Sequence, residues 1–254
     1  MHCLSLYDSV ARHEAIEKVV VRNEERKYWR FRPGRWYGGI ITADAVGCGL
    51  VCRYCWVSDA IMFQPAHVGK FYSPEVVAKI LVDMARKRNL KQLRISGGEP
   101  TIGKEHLLQL LDNLIGRPYL FILETNGILI GNDQQYSKEL AKYPFLHVRV
   151  SLKGCNEKEF AMLTGAKPEG FILQLKALEN LLKAGVSCHP AAMTSFSTKE
   201  NLKELTKRLR GISPKLAEDL EIEELILYPS VKRRIEKYDL KYYSAYTSEG
   251  ALKE

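Results

Sequence analysis

Short apolar segments alternate with amphipathic segments through most of the sequence, and this alternation restricts the possible folds most strongly. Strands are predicted at 38–43, 92–96, 119–123, 146–152, 186–194 and 223–228. Helical spacing of apolar residues occurs at 73–88, 104–115, 133–142, 156–163, 171–184 and 199–209. Repeated strand–helix units predict right-handed crossovers and a parallel sheet covered by helices. We therefore expect an α/β fold, a partial, TIM-like (β/α)6 barrel, open or closed, whose working face lies at the C-terminal ends of the strands.

The two ends of the chain do not follow this alternation. Residues 1–37 contain a weak helical pattern and an aromatic, basic stretch around Trp29 and Trp36, which predict a cover segment packed on the barrel. Residues 230–254 are predicted to be a polar tail. The expected organisation is therefore a cover segment, a core domain at 38–229 and a C-terminal tail.

Length and composition are those of a globular protein. The chain has 254 residues, of which 46% are apolar, and this is enough for one hydrophobic core. Its longest apolar runs fall well below the roughly 18 residues that a membrane-spanning helix needs. The N-terminus lacks the basic-then-apolar order of a signal peptide. We expect a cytoplasmic protein with no membrane partner.

The chain is basic, with a net charge of +8 and a pI of about 9.1. Basic residues are densest at 22–35 and 232–241. A basic surface attracts anionic partners such as nucleic acid, nucleotides or acidic protein faces, although a solvated charged surface is the alternative.

Three of the six cysteines lie within eight residues, at Cys48, Cys52 and Cys55. Such crowding favours metal ligation over a disulfide framework. The loop follows the first predicted strand, so it lies on the expected working face. Cubane clusters usually have four cysteine ligands, so three thiolates would leave one iron open for another ligand.

Zinc is the competing interpretation of these cysteines. Structural zinc sites usually have four ligands in pairs that are far apart in sequence. Here Cys155, Cys188 or His67 could supply a fourth ligand, so the loop alone allows a zinc-bound module without catalysis.

The spacing Cys48-x-x-x-Cys52-x-Tyr54-Cys55 resembles the signature of the radical S-adenosylmethionine (SAM) superfamily. The resemblance covers residues 38 to about 229. It implies the superfamily's partial barrel, with one [4Fe-4S] cluster whose irons are bound by the three cysteines and by SAM. It also implies reductive cleavage of SAM to a 5′-deoxyadenosyl radical that abstracts hydrogen. Tyr54 would contact the adenine of SAM through its main chain.

Residues Gly97-Gly98-Glu99 end the second predicted strand. Adjacent glycines let the backbone approach a ligand closely, and a carboxylate can pair with an ammonium group. An ordinary turn is the alternative for this motif alone. In its place after the cysteine loop, it resembles the superfamily's GGEP motif, which implies contact with the methionine amino group of SAM.

The next two strand ends extend the resemblance to the small glycyl-radical-enzyme activases. Residues 124–127, with Thr125 and Asn126, resemble the activase (D/E)TNG strand end. Ser151 and Lys153 stand where activases carry a D-x-K pattern that holds the ribose and carboxylate of SAM. Serine replaces the aspartate here, which weakens the case for close activase membership, while Lys153 is retained as a point charge.

His189 and Cys155 are the candidate catalytic residues. His189 is predicted to end the fifth strand, where imidazole could carry a proton near neutral pH. Cys155 follows Lys153 on the working face and could be a substrate-side thiol or a small apolar residue. The basic residues 232–234 could bind an anionic substrate or form a solvated charge run.

The sequence therefore predicts a radical SAM enzyme, while the substrate stays open. A protein or peptide substrate follows from the activase resemblance. Modification of RNA or of a small nucleotide-like or pterin-like metabolite is the alternative, and a zinc module is the third. An electron donor such as ferredoxin or flavodoxin is the implied partner.

Overall fold

A nine-stranded sheet forms the centre of the protein in the computed structural model, which describes residues 5–247 and the backbone of 252–253. Its strands are β1 (Val21–Arg22), β2 (Glu25–Gly34), β3 (Ile40–Ala45), β4 (Lys70–Tyr72), β5 (Gln92–Gly97), β6 (Leu120–Thr125), β7 (Leu146–Leu152), β8 (Ser187–Met193) and β9 (Glu221–Glu223). A separate small sheet contains β10 (Leu225–Leu227), β11 (Ala245–Thr247) and β12 (Leu252–Lys253).

Six parallel strands form the barrel predicted from the sequence. They pair in the order β3, β5, β6, β7, β8, β9. Within the described residues, β9 pairs with β8 and does not reach β3, so the barrel is open. The α/β class and the partial (β/α)6 architecture are therefore confirmed.

The described residues form eleven α-helices, most of which connect successive parallel strands. They are α1 (Ser9–Val20), α2 (Asp59–Phe63), α3 (Pro74–Arg88), α4 (Lys104–Asp112), α5 (Ile128–Asn132), α6 (Gln134–Leu140), α7 (Glu157–Thr164), α8 (Glu169–Lys183), α9 (Lys199–Ile212), α10 (Pro214–Glu218) and α11 (Pro229–Lys237), with a short 3-10 turn at Trp36–Gly38. In α3, Pro74 occupies the first turn and Asn89 ends the helix in a left-handed conformation. The intervening apolar face, including Val77 and Leu81, is buried.

Alternation along each strand separates an apolar outer face from a polar interior. In β7, Val148, Val150 and Leu152 belong to the hydrophobic core. Arg149 and Ser151 point to the other face and contact carboxylates of β9. The barrel interior is therefore lined with polar groups that are able to meet a polar ligand.

The N-terminal segment contributes a strand that the sequence analysis did not predict. Asp8 caps α1 by accepting from the backbone N–H groups of Val10 and Ala11, in agreement with the weak helical pattern. The basic, aromatic stretch that follows is not only a cover, because β2 pairs antiparallel with β3 and extends the main sheet.

The predicted last strand, 223–228, was wrong as a single element. Its residues are divided between β9, which pairs with β8, and β10, which pairs with β11. The predicted polar tail also contains regular structure, because α11 and β11 lie within it. The rest of the tail falls partly outside the described residues.

No helix in the described part of the chain combines the length and the apolar character that crossing a bilayer would require.

Candidate active site at the C-terminal ends of the strands

The three clustered cysteines lie on one loop that leaves the end of β3. Burial raises the pKa of the Cys52 thiol to about 12, and burial also raises the pKa values of Cys48 and Cys55. Negative charge on Cys52 or Cys55 raises the pKa of Cys48 further. The three sulfurs are therefore close enough to influence one another in a buried environment.

Within the described residues, no three His, Cys, Asp or Glu side chains are arranged to hold one metal ion. The cysteine sulfurs of a cubane cluster bind different irons, so they do not need to converge on one point. A donor set of three thiols on one loop therefore suits a cluster with one iron left open. Two N–H groups, from the Leu50 backbone at 3.4 Å and the Asn126 side chain at 3.7 Å, donate to the Cys48 sulfur.

The turn after β5 packs directly on this loop. Gly98 N–H donates to the Ala45 carbonyl, and Glu99 N–H donates to the Gly47 carbonyl, both at 2.8 Å. A β-carbon at Gly98 would lie 2.2 Å from the Gly47 oxygen. Gly97 has a φ of 87°, which favours glycine. Both glycines are therefore required for the close approach of the two segments.

The Glu99 carboxylate lies inside this junction and is only 2% exposed. Its Oε1 accepts from Thr101 N–H at 3.1 Å, from the Thr101 hydroxyl at 2.6 Å and from the Thr125 hydroxyl at 2.6 Å. Its Oε2 accepts from Asn126 N–H at 2.7 Å. The Gly97-Gly98-Glu99 turn and the strand end at residues 124–127, which the sequence assigned separately to SAM, are thus joined by one carboxylate.

Ser151 and Lys153 meet at the end of β7, also beside the cysteine loop. Lys153 Nζ donates to Ser151 Oγ at 2.5 Å, and Ser151 Oγ donates to Glu223 Oε2 at 3.1 Å. The Lys153 ammonium opposes the effect of burial on the pKa values of Cys52 and Cys55. A positive charge therefore lies close to the thiols, where it can also meet an anionic group of a ligand.

Tyr54 belongs to the cysteine loop, and its ring centroid lies 5.4 Å from that of Phe196. Its hydroxyl is buried and has no hydrogen-bond partner among the described residues. A buried polar group without a partner is unfavourable in a folded protein and is often explained by an additional ligand or water. The residue therefore marks a polar position next to the cysteines.

His189 does not end the fifth parallel strand, because β8 continues for four residues to Met193. Its Nδ1 lies 2.7 Å from His147 Nε2, and its Nε2 lies 3.0 Å from a Glu221 oxygen. The histidine belongs to a polar cluster deeper in the barrel than the cysteine loop. A catalytic role was predicted for His189 because it was expected at a strand end, and its position within β8 removes that reason.

Cys155 does follow the end of β7, but it is almost fully buried. Burial raises the pKa of its thiol to about 11. Its backbone N–H donates to Glu159 Oε2 at 2.7 Å, which fixes the loop before α7. This environment keeps the thiol protonated at neutral pH.

Two arginines hold the site through contacts that the sequence analysis did not predict; one of them, Arg234, was expected to bind an anionic substrate or to be solvated. Arg234, on α11, is buried and donates to the carbonyls of Cys55 and Val57. Only its two neighbours in the basic run, Lys232 and Arg233, are exposed. Arg26, on β2, donates to the Glu99 carbonyl at 2.8 Å. Both arginines lie in basic stretches that were identified from the sequence, but the sequence does not indicate which groups these arginines contact.

Ion pairs line the barrel interior below the cysteine loop. Asp44, which is fully buried, accepts from Arg30 Nε at 2.8 Å and from Arg32 Nε at 2.7 Å. Arg94 donates to Glu124 at 2.8 Å on the neighbouring strands. The interior is therefore charged as well as polar.

Glu221 provides a test of this ion-pair lining. Hydrogen bonds from Arg149 and His189 lower the pKa of Glu221 to about 2. Its contribution to stability is complete above its ordinary pKa of 4.5 and is lost as the pH falls towards 2. Because the carboxylate is partly exposed, we expect Glu221→Gln to cost only about 1 kcal/mol of unfolding free energy at pH 7.

We expect this difference between wild type and Glu221→Gln to shrink as the pH is lowered from 5 to 3, as measured by urea unfolding. Glu218→Gln, which changes an exposed carboxylate on α10, serves as the control. A constant difference across that pH range would contradict the assignment.

The open (β/α)6 barrel with its three-cysteine loop defines a class of enzyme. The family model of the radical SAM superfamily matches residues 44–209, more than half of the chain, and the chain belongs to this superfamily. It is therefore an enzyme of the kind that uses a [4Fe-4S] cluster and SAM. This excludes the zinc-bound module without catalysis.

Two relatives indicate different branches of the superfamily. A probable GTP 3′,8-cyclase from Methanosarcina acetivorans is 29% identical over 156 residues, 61% of this chain and 44% of the cyclase. A pyruvate formate-lyase-activating enzyme from Clostridium pasteurianum is 27% identical over 199 residues, 77% of this chain and 78% of that enzyme. The chain thus spans less than half the length of the cyclase and most of the length of the activating enzyme.

Solved structures share the fold at low sequence identity. SuiB from Streptococcus suis, bound to its precursor peptide SuiA, has a TM-score of 0.55 and 18% identity, covering 80% of this chain and 47% of SuiB. TYW1 with a lysine–pyruvate adduct bound has a TM-score of 0.52 and 14% identity, covering 84% of this chain and 78% of TYW1. These similarities establish the architecture alone.

Proposed function

We propose that this enzyme cleaves SAM reductively at a cluster bound by Cys48, Cys52 and Cys55 and abstracts a hydrogen atom from a protein or peptide substrate. When bound, the cluster supplies the electron that splits SAM into methionine and a 5′-deoxyadenosyl radical. One observation carries the proposal: the ends of three parallel strands, β5, β6 and β7, bring their functional groups to the cysteine loop that leaves β3. The Asn126 amide donates to the Cys48 sulfur, and the Lys153 ammonium lies beside Cys52 and Cys55.

The strand-end residues have separate roles in this proposal. The turn at Gly97, Gly98 and Glu99 lies against the loop, which supports its assignment to the methionine amino group. Lys153 neutralises the methionine carboxylate as a point charge. Tyr54 meets the adenine through its main chain.

Three further strand-end groups complete the proposed SAM pocket. Thr125 and Asn126 shape the wall next to Glu99, to which both donate. Ser151 offers its hydroxyl to a ribose hydroxyl, in place of the aspartate of activases. An external donor such as ferredoxin or flavodoxin delivers the electron.

A protein or peptide substrate is supported by the extent of the similarity to the activating enzyme. That enzyme is matched over more than three quarters of both chains, so the correspondence is not limited to the cysteine loop. SuiB, a structural neighbour, is bound to a precursor peptide.

An anionic small molecule or RNA is the second candidate, and one feature of the interior favours it. Arg30 and Arg32 share the single carboxylate of Asp44, which leaves one positive charge unbalanced in that group. The Arg32 guanidinium also lies 5.8 Å from the ring centre of Trp56, which is exposed and directly follows Cys55. An aromatic ring beside a guanidinium suits a planar, anionic ligand.

Anaerobic reconstitution with iron and sulfide, followed by dithionite and SAM, tests the reaction. We expect a brown protein that forms 5′-deoxyadenosine. A reconstituted, reduced sample that has neither cluster absorption nor SAM cleavage would refute the proposal.

Substrate class is tested in the same assay. Stimulation of SAM cleavage by peptides rather than by nucleoside triphosphates or RNA is expected. Stimulation by nucleotides alone, or RNA retention that weakens steeply with salt, would favour the second candidate.

A further inference from the structure

His13 reaches the cysteine loop from the N-terminal segment, outside the region matched by the superfamily model. It lies on α1, is fully buried and packs on Gly49. A β-carbon at Gly49 would lie 2.0 Å from His13 Nδ1, so the loop accommodates this ring only because residue 49 is glycine. The contact places an imidazole directly beside the cysteine loop.

The hydrogen-bond partners of His13 determine which of its nitrogens carries the proton. Nδ1 lies 2.6 Å from the Ser9 carbonyl oxygen, which can only accept, so Nδ1 carries the hydrogen. Burial lowers the pKa of His13, which favours the neutral ring. Nε2 is then an acceptor, and it lies 3.0 Å from Asn126 Nδ2.

The Asn126 amide is also fixed by its partners. Its Oδ1 accepts from Ile128 N–H at 3.0 Å, so Nδ2 must face the other side. One of the two Nδ2 hydrogens is donated to His13 Nε2. The other is available to the Cys48 sulfur, 3.7 Å away. His13 thus holds the amide in the orientation that directs an N–H group to this sulfur.

We propose that His13 is a positioning residue that orients the Asn126 amide towards the Cys48 sulfur and thereby raises the reduction potential of the cluster. Reduction adds negative charge to the cluster and its thiolates, and a hydrogen bond to a ligating sulfur stabilises that charge. The inference rests on the proposed function, because it requires Cys48 to bind the cluster.

Redox titration of the reconstituted protein, monitored by electron paramagnetic resonance without SAM, tests this role. His13→Leu removes the acceptor, and we expect its midpoint potential to be more negative than that of the wild type. His13→Gln keeps an acceptor near the Nε2 position, and we expect it to restore the wild-type potential. His106→Leu is the matched control, because His106 is equally buried but is bonded to Tyr28 and Glu24. We expect it to leave the potential unchanged.

A second measurement includes a readout from the wild type, which does not depend on the stability of the variants. With ¹⁵N-labelled asparagine, pulsed electron paramagnetic resonance of the reduced wild-type cluster should detect coupling to an asparagine side-chain nitrogen. That coupling should persist in His13→Gln and weaken in His13→Leu. If His13→Leu does not retain a cluster, the wild-type spectrum decides, and absence of the coupling overturns the inference.

The failures of the two proposals are distinguishable. A wild-type protein that assembles no cluster overturns the proposed function and the inference with it. A wild-type cluster whose potential is unchanged in His13→Leu overturns the role of His13 and leaves the proposed function intact.

Discussion

Replacing Cys52 with alanine is expected to abolish both the bound cluster and the formation of 5′-deoxyadenosine. Three thiolates on one loop are the proposed protein ligands, and removing one leaves two irons without a ligand from the loop. Two remaining thiolates are too few to hold a cubane that normally has four. The expected result is iron and sulfide content at background level after reconstitution, with SAM cleavage below detection.

Cys188 provides a closely matched control for this experiment. Both thiols are 7% exposed, and burial raises the pKa of each to about 12. They differ in position, because Cys188 is the second residue of β8 whereas Cys52 lies beyond the end of β3. Cys188→Ala should therefore retain full iron content. Loss of the cluster in Cys188→Ala with retention in Cys52→Ala would overturn the ligand set.

Glu99→Gln is expected to destabilise the protein by about 2–3 kcal/mol even without a cluster, because a buried acceptor is converted into a donor. The carboxylate accepts four hydrogen bonds from chain groups, and all four arrive from N–H or O–H donors. Whichever way the new amide turns, its NH2 group must face at least one of these donors. The junction between the β5 turn and the end of β6 then loses a bond and gains a repulsive contact.

Urea unfolding of the cluster-free protein measures this effect separately from SAM binding. Glu105→Gln, an exposed change in the first turn of α4, is the control and should fall within about 0.5 kcal/mol of the wild type. Reconstituted Glu99→Gln should also bind SAM more weakly, as followed by equilibrium dialysis. If the unfolding free energies of Glu99→Gln and the wild type did not differ, the Glu99 carboxylate would not be what holds the turn after β5 to the end of β6.

The barrel could be predicted because its outer face carries a strong periodic signal. Residues such as Val148 and Leu152 bury one side of a strand, and the helices between strands carry matching apolar faces. The order of parallel strands then follows from short crossover connections. The cysteine spacing and the turn at Gly97 and Gly98 are local patterns, so they could be recognised without knowing what lies nearby.

The antiparallel strand β2 was missed because its interior-facing positions are charged. Arg30 and Arg32 make it appear to be a solvated basic stretch, whereas both are directed at the buried Asp44 of β3. In addition, a bulge between Tyr28 and Arg30 interrupts the alternation of apolar and polar residues along β2. Only the register between β2 and β3 brings these charges together.

The error at His189 concerns its position along the strand, because the predicted strand 186–194 already ran past Pro190 and agrees with β8. Proline usually terminates a strand, yet β8 continues through it to Met193. The pairing of β8 with β9 begins one residue later, at Ala191. Pro190 therefore has no strand paired with it on the side that faces β9. This arrangement depends on where β9 starts, which no local pattern in β8 indicates.

The contact between Arg234 and the cysteine loop has a consequence for how the protein is made. Arg234 donates to the Cys55 carbonyl across 179 residues of sequence. A chain emerging from the ribosome therefore presents its three clustered thiols long before the arginine that clamps their loop has been synthesised. The loop can reach its final form only after these 179 further residues have been synthesised, so iron and sulfide can enter the finished site only after α11 has been made.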